Sequence, residues 1–238
     1  MYDQIAKEYD DFFSKKDEYQ KDINGILSTI NGLSDKPIFL DYGCGTGGHI
    51  EYLLKKIDCT VVCFDVSAEM IKYTKEKLKH HSSNLIFVDS LKELFDYKYD
   101  CIFSLFYVVN HFKSESDWIN FANLQSCLTD NGKLIFDYYN YDVVINDPPA
   151  SYQRKENFSK VPHIKKCTAY LEQENITMNY EIYNTIEERL ILKSKLNMRL
   201  WKEDYIKGLF QNKKIEITGK NFESHNLDKS YHKVIIVS

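Results

Sequence analysis

Arginine is nearly missing from this chain: of 31 basic residues among 238, only Arg154, Arg189 and Arg199 carry a guanidinium. Forked recognition of phosphates is therefore poorly supplied. The formal charge of −4 and the lack of a dense basic stripe point the same way. Duplex binding draws much of its affinity from neutralised phosphates, so nucleic acid is not the expected partner. No apolar run approaches the roughly 18 residues of a membrane helix, so no membrane partner is expected either. The opening Met1-Tyr2-Asp3-Gln4 has polar residues where a signal peptide places Lys or Arg before an apolar stretch, and a cytoplasmic location follows as the expectation. Six cysteines form no CxxC pair and no His-rich cluster. They read as buried small hydrophobes in a reducing compartment, with no metal site.

Glycine is scarce too, 9 residues in all, yet Gly43, Gly45, Gly47 and Gly48 fall within six positions. Before them, 37–41 reads as a short buried strand, and after them 49–56 reads as a helix. Strands follow at 60–64, 85–88, 99–106 and 133–137, with helices at 67–80, capped by Ser67, and at 117–128 between them. Strands alternating with helices predict a parallel sheet. From 142 to 161 the pattern is lost and Pro148 and Pro149 intervene, which predicts a mobile loop. Beyond it the period changes to two, with Ile176, Met178, Tyr180 and Ile182 alternating with polar residues, so a small antiparallel sheet is expected across the main domain. A helix at 202–210 and closing strands at 214–218 and 233–237 complete the reading. At 238 residues, a length of about 1.6 average domains, the expectation is one domain (1–238): a helical cap at 1–35, a cofactor-binding core at 36–141, a loop and antiparallel insertion at 142–200, and closing elements at 201–238.

Gly43-Cys44-Gly45-Thr46-Gly47-Gly48 satisfies the dinucleotide pattern GxGxxG, and Asp65 lies 17 residues past it, near the spacing of a ribose-binding acid. Asp41 argues against a dinucleotide, because a carboxylate there would repel a pyrophosphate resting on the helix N-terminus. A phosphate-free cation such as S-adenosylmethionine suits that acid.

At these residues the sequence resembles the class I S-adenosylmethionine-dependent methyltransferases. Leu40-Asp41-Tyr42-Gly43-Cys44-Gly45-Thr46-Gly47 is similar to the family's first motif and Asp65-Val66-Ser67-Ala68-Glu69-Met70-Ile71 to its second. Asp89-Ser90-Leu91 stands at the third motif's position, and Asp100-Cys101-Ile102-Phe103-Ser104-Leu105-Phe106 is similar to the fourth-strand motif. The resemblance implies a doubly wound, mostly parallel seven-stranded α/β sheet, Rossmann-like, with its final strand antiparallel and a small antiparallel β insertion. It also implies S-adenosylmethionine as cofactor. Asp41, Gly43 and Gly45 would hold its methionine end, Asp65 the ribose, and Asp89, Ser90 and Leu91 the adenine, which Val66 and Met70 would face, while Cys44 and Leu105 would border the cofactor. The segment from Tyr2 to Phe13 resembles the helix that small-molecule methyltransferases fold over the cofactor, with Tyr9 closing on it. Among them it is most similar to the N-methyltransferases of nucleotide-linked amino sugars, although Phe13 stands where those enzymes often have tyrosine.

Ligands of open α/β sheets bind beyond the carboxyl ends of the strands. Tyr107, Asn110 and His111 stand there, with His111 as candidate base, and Phe13, Tyr107, Asn110, Tyr138 and Tyr139 are the candidate acceptor pocket. His225 and His232 read as packed or surface side chains. The expected reaction is methyl transfer to nitrogen or oxygen of a small polar metabolite, a sugar or nucleotide-linked amino sugar foremost. O-methylation in capsule or surface-polysaccharide synthesis, including a phosphorus-linked acceptor, is one alternative. A non-catalytic cofactor-binding or regulatory protein is another, and a homodimer is an open expectation.

Overall fold

Gly43, Gly45 and Gly47 lie at φ +86°, +53° and +75°, left-handed backbone that side chains with a Cβ resist. That turn joins the first strand to the first helix of the central layer. The computed structural model describes residues 2–13, 16–156, 162–223 and 227–238. In chain order come helices α1 (Tyr2–Phe12) and α2 (Lys16–Thr29), then β1 (Ile38–Tyr42), α3 (Gly48–Leu54), β2 (Thr60–Phe64), α4 (Ala68–Lys77), β3 (Leu85–Phe87), β4 (Tyr99–Ser104), α5 (Glu115–Asn123) and β5 (Leu128–Tyr139). A short helix α6 (Tyr141–Asn146) leads into β6 (Tyr152–Glu156), β7 (His163–Glu172), β8 (Asn175–Asn184) and β9 (Leu190–Arg199). Helix α7 (Glu203–Gly208) and strands β10 (Ile215–Gly219) and β11 (His232–Val237) close the chain.

The main sheet has seven strands in the order β10-β11-β5-β4-β1-β2-β3. Strands β1 to β5 pair in parallel, and β11 enters antiparallel between β5 and β10. The expected doubly wound sheet with an inverted last strand is therefore present. Its two faces bury separate cores. One face packs Leu40, Ile102, Phe136 and Tyr138 on Trp118 and Phe121 of α5 and Phe210 after α7, and the other packs Phe39, Phe103 and Ile135 on Ile23, Ile26 and Ile50. Local chemistry fixes the helix starts. Ser67 accepts the Met70 N–H at the head of α4, and Ser114 and Asp117 form a reciprocal capping box on α5.

Strands β6 to β9 make a separate four-stranded antiparallel sheet. Helix α1 is clamped between this lid and α4 by Ile5, Ala6, Phe12, Met70, Ile182 and Leu192. Lys165 of β7 strengthens the clamp, its ammonium donating to the Phe12 carbonyl at 2.8 Å, at the negative end of α1.

Two expectations need correction. The predicted loop at 142–161 instead contains α6 and β6, while 157–161 lie outside the described residues. Strand β6, Tyr-Gln-Arg-Lys-Glu, is a polar edge strand whose pairing with β7 leaves no apolar alternation to read. The strand expected at 133–137 begins earlier, at Leu128, and Asp130-Asn131-Gly132 form a bulge inside β5: pairing jumps from Tyr99↔Leu128 to Cys101↔Lys133. Gly132 permits this because a Cβ there would stand 2.7 Å from the Tyr99 carbonyl oxygen.

Candidate active site

The glycine turn opens onto a cavity of about 360 Å³ beneath α1. Gly43, Cys44, Gly45, Asp65, Val66, Met70, Leu91, Leu105 and Tyr9, all expected at the cofactor, border it. Asp65 accepts the Gly45 N–H on one carboxylate oxygen and the Ser67 N–H on the other, both at 2.8 Å. Each oxygen keeps a lone pair for a further donor. Burial raises the Asp65 pKa against those two bonds. Helix α1 is tied down at both ends: Asp3 accepts from the Ser67 hydroxyl at 2.6 Å, and Asp10 accepts from Thr46 and, at 2.7 Å, from Lys77.

Three expected cofactor residues do not border the cavity. Asp41 lies under the turn, 1% exposed, and one of its carboxylate oxygens has no partner among the described residues. Burial, then the nearby Asp65, push its pKa well up. Asp89 faces an outer groove shared with Asp65 and Val66. Ser90 is exposed, its hydroxyl on Glu93 at 2.6 Å. Both residues lie beyond the three-residue strand β3, which ends at Phe87.

These residues suit S-adenosylmethionine. The turn has no arginine, the half-buried Asp65 at the cavity and the buried Asp41 beneath it favour positive charge, and a Cβ on Gly45 would meet nothing within 4 Å, so the backbone itself is open to a ligand.

A second cavity of about 170 Å³ adjoins the first, sharing Tyr2, Tyr9, Phe106 and His111 as walls. Its other walls include Phe13, Tyr107, Tyr139 and, from the lid, Met178, Tyr180, Ser194 and Met198. Glu18 and Lys220, 3.6 Å apart, bring its charge. Phe13 stacks on Tyr9 at 5.7 Å and meets the Tyr180 ring edge-on at 5.1 Å. Tyr107 stacks on Tyr139 at 4.5 Å, and His232 packs on both at 4.6 and 4.9 Å. His232 is thus a ring packed on these two cavity tyrosines, its pKa pushed down to about 3 by burial, while His225 lies outside the described residues.

Phe106 and Tyr107 both lie at φ +63°, a conformation costly for bulky residues. Asp137 at the end of β5 holds the pair, accepting their N–H groups at 3.1 and 2.7 Å. Burial raises its pKa to about 8, against the pull of those bonds and of Lys220.

His111 does not carry a free basic nitrogen. Nδ1 faces the Asn197 carbonyl at 3.2 Å and Nε2 the Tyr2 hydroxyl at 2.8 Å. Burial lowers its pKa to about 4, so the ring is neutral at pH 7 and a weak base. Two other expectations also fall. Tyr138 points through the sheet into the α5 and α7 core and donates to Glu203 at 2.7 Å. Asn110 is consumed structurally, donating to the Arg199 carbonyl and accepting from the Tyr139 N–H, at 2.8 and 3.0 Å.

Sequence reasoning passed over Tyr2, Glu18, Tyr180, Ser194 and Lys220. For Tyr2 a signal existed: it stands seven residues before Tyr9, on one face of α1. The lid and loop residues reach the cavity only through long-range packing.

No curated protein matches the chain. A family model described as a methyltransferase domain matches residues 39–132, which span the glycine turn, Asp65 and His111. Similar solved structures include an S-adenosylmethionine-dependent methyltransferase from Clostridium acetobutylicum, 17% identical with a TM-score of 0.75, covering 100% of this chain and 98% of that one. The amino pentose methyltransferase CalS10 of Micromonospora echinaspora, solved with its cofactor bound, is 13% identical at a TM-score of 0.70, covering 97% and 94%. The sugar N-methyltransferase KedS8 of a Streptoalloteichus species is 13% identical at 0.65, covering 99% and 92%. At such identities the structures establish the shared fold, and the family match establishes the domain built on it. No helix among the described residues is long and apolar enough to cross a membrane. The motifs, the methyltransferase domain matched over residues 39–132 and the cavity suited to a phosphate-free cation converge on methyl transfer from S-adenosylmethionine.

Proposed function

We propose that the chain methylates an amino nitrogen of a small polar metabolite of sugar size. The observation that carries this reading is the aromatic cavity of about 170 Å³ that shares four walls with the cofactor cavity. Tyrosine and phenylalanine faces pack against the C–H faces of a sugar ring and attract an ammonium. Glu18 adds a carboxylate for the same cation. The cavity holds one small ring, so a nucleotide attached to the acceptor would lie outside it. CalS10 and KedS8 act on an amino pentose and a sugar nitrogen according to their descriptions.

Nitrogen is favoured over oxygen by what His111 lacks. An alcohol needs a general base more than an amine does. With a pKa near 4 and both nitrogens engaged, His111 is ill placed to be one. Bound S-adenosylmethionine supplies a methyl group already activated on a sulfonium, so the protein's part is alignment and exclusion of water. The aromatic walls and α1 perform both.

Methyl transfer from radiolabelled cofactor to matched pairs of amino and hydroxy sugars, free and nucleotide-linked, tests the proposal. Label is expected on the amino members. Label confined to the hydroxy members would reverse the choice of atom, and label on neither set would refute the sugar class.

A further inference from the structure

Tyr2 is the first described residue of α1, and it borders both cavities. Its ring is held from two sides, edge-on to His111 at 5.4 Å and to Tyr9 at 6.2 Å. The direction of its hydroxyl is also determined. The Asn197 carbonyl can only accept, so His111 Nδ1, 3.2 Å away, carries the ring proton. Nε2 is then a bare lone pair, and the Tyr2 hydroxyl at 2.8 Å must donate to it. With its proton committed, the phenol oxygen offers only lone pairs at the junction of the two cavities. Three elements set this polarity: α1 brings the phenol, the segment after β4 the imidazole, and β9 the carbonyl.

We propose that the Tyr2 phenol oxygen receives an N–H of the methyl acceptor and so turns the nitrogen lone pair toward the cofactor cavity, with His111 as the positioning residue that fixes the hydroxyl. The inference rests on the amine reading above and deepens it. An acceptor must bring a hydrogen-bond donor to this point, and a tertiary amine free of N–H loses the contact. Burial, which keeps His111 neutral, keeps the arrangement intact at physiological pH. No proton transfer to His111 is required.

The test has two arms. In the first, protein labelled with ¹⁵N-histidine is studied by long-range ¹H–¹⁵N NMR with and without S-adenosylhomocysteine, with the His111 signals identified by their loss in His111→Gln. A protonated Nδ1 and a bare Nε2 are expected, and Tyr2→Phe should move the Nε2 resonance. The opposite tautomer, an imidazolium at pH 7, or no response to Tyr2→Phe overturns the dyad. In the second arm, the amines methylated in the panel above are used as substrates. Tyr2→Phe should lower kcat about 10- to 100-fold, leaving S-adenosylhomocysteine affinity within about twofold. His111→Gln, whose side-chain carbonyl can still accept from Tyr2, should retain more activity than His111→Leu. Wild-type kcat in Tyr2→Phe overturns the proposal. If no amine in the panel is methylated, the acceptor reading fails and the proposal with it, and the NMR arm shows whether the dyad itself stands.

Discussion

The two cavities share four walls but are built by opposite means. On the cofactor side most of the work falls to backbone and to residues close in sequence: the turn from Gly43 to Gly48, Asp65 at the end of β2, and the cap at Ser67. On the acceptor side, side chains are gathered from α1, α2, the segment after β4, the end of β5, the lid strands β8 and β9, and the loop holding Lys220. The first depends on a turn that few residues can adopt. The second depends on long-range packing that many sequences could supply, which lets one cofactor fold serve different acceptors.

The comparison breaks most severely at Gly43. Its φ of +86° penalises any side chain, and a Cβ would stand 2.6 Å from a methyl group of Val108. Gly43→Ala is expected to cost about 2 to 4 kcal/mol from the left-handed backbone and overpacking together, lowering Tm by roughly 5 to 15 °C. Binding of S-adenosylhomocysteine should weaken at least tenfold by calorimetry. Asp65→Ala should match that loss of affinity with less loss of stability. Wild-type melting and binding in Gly43→Ala would mean that the turn does not depend on glycine.

Next comes Asp137, the acceptor side's counterpart to a glycine, since it holds Phe106 and Tyr107 in left-handed backbone through two N–H bonds. Its folded pKa of about 8 exceeds the unfolded value of a carboxyl. The folded state therefore binds the proton more tightly, and stability falls as pH rises from about 4 to about 8. Asn cannot titrate, but it offers one acceptor oxygen for two donors. Asp137→Asn should be the less stable protein at pH 5, by about 1 kcal/mol, and should lose less stability than wild type between pH 5 and pH 8. Denaturant melts at both pH values check the sign. Parallel shifts in the two proteins would remove Asp137 from this role. Turnover should fall while S-adenosylhomocysteine affinity changes little, which separates the acceptor side from the cofactor side.

How far each side could be read from sequence follows from the same contrast. Glycines at fixed spacing with an acid at each strand end are visible without the fold, because neighbours in the chain build the turn. The doubly wound seven-stranded sheet and the inverted β11 came with the resemblance. The lid's alternation showed that Met178 and Tyr180 share a face, but nothing local said what that face would cover. The bulge at Gly132 imitates a turn, and β6 imitates a loop, because polar residues at an edge strand have no apolar partner to reveal them.

The smallest expected effect tests the face assignment at the end of β5. Tyr138 and Tyr139 are adjacent, and successive side chains of a strand point to opposite faces. Only one of them can reach the acceptor cavity, and that one is Tyr139. Tyr138 is 1% exposed and donates to Glu203, whose carboxylate also meets Lys207 at 2.6 Å and Lys233 at 2.7 Å. Burial works against this carboxylate, but the hydrogen bonds from Lys207, Lys233 and Tyr138 prevail and hold its pKa down near 2. Because the two lysines remain, Tyr138→Phe removes one of several bonds and leaves no buried charge alone. The expected cost is about 1 kcal/mol, a Tm lower by roughly 2 to 4 °C, with kcat, KM and cofactor affinity unchanged. A raised KM with unchanged Tm would return Tyr138 to the acceptor pocket and reverse the orientation of the strand's end.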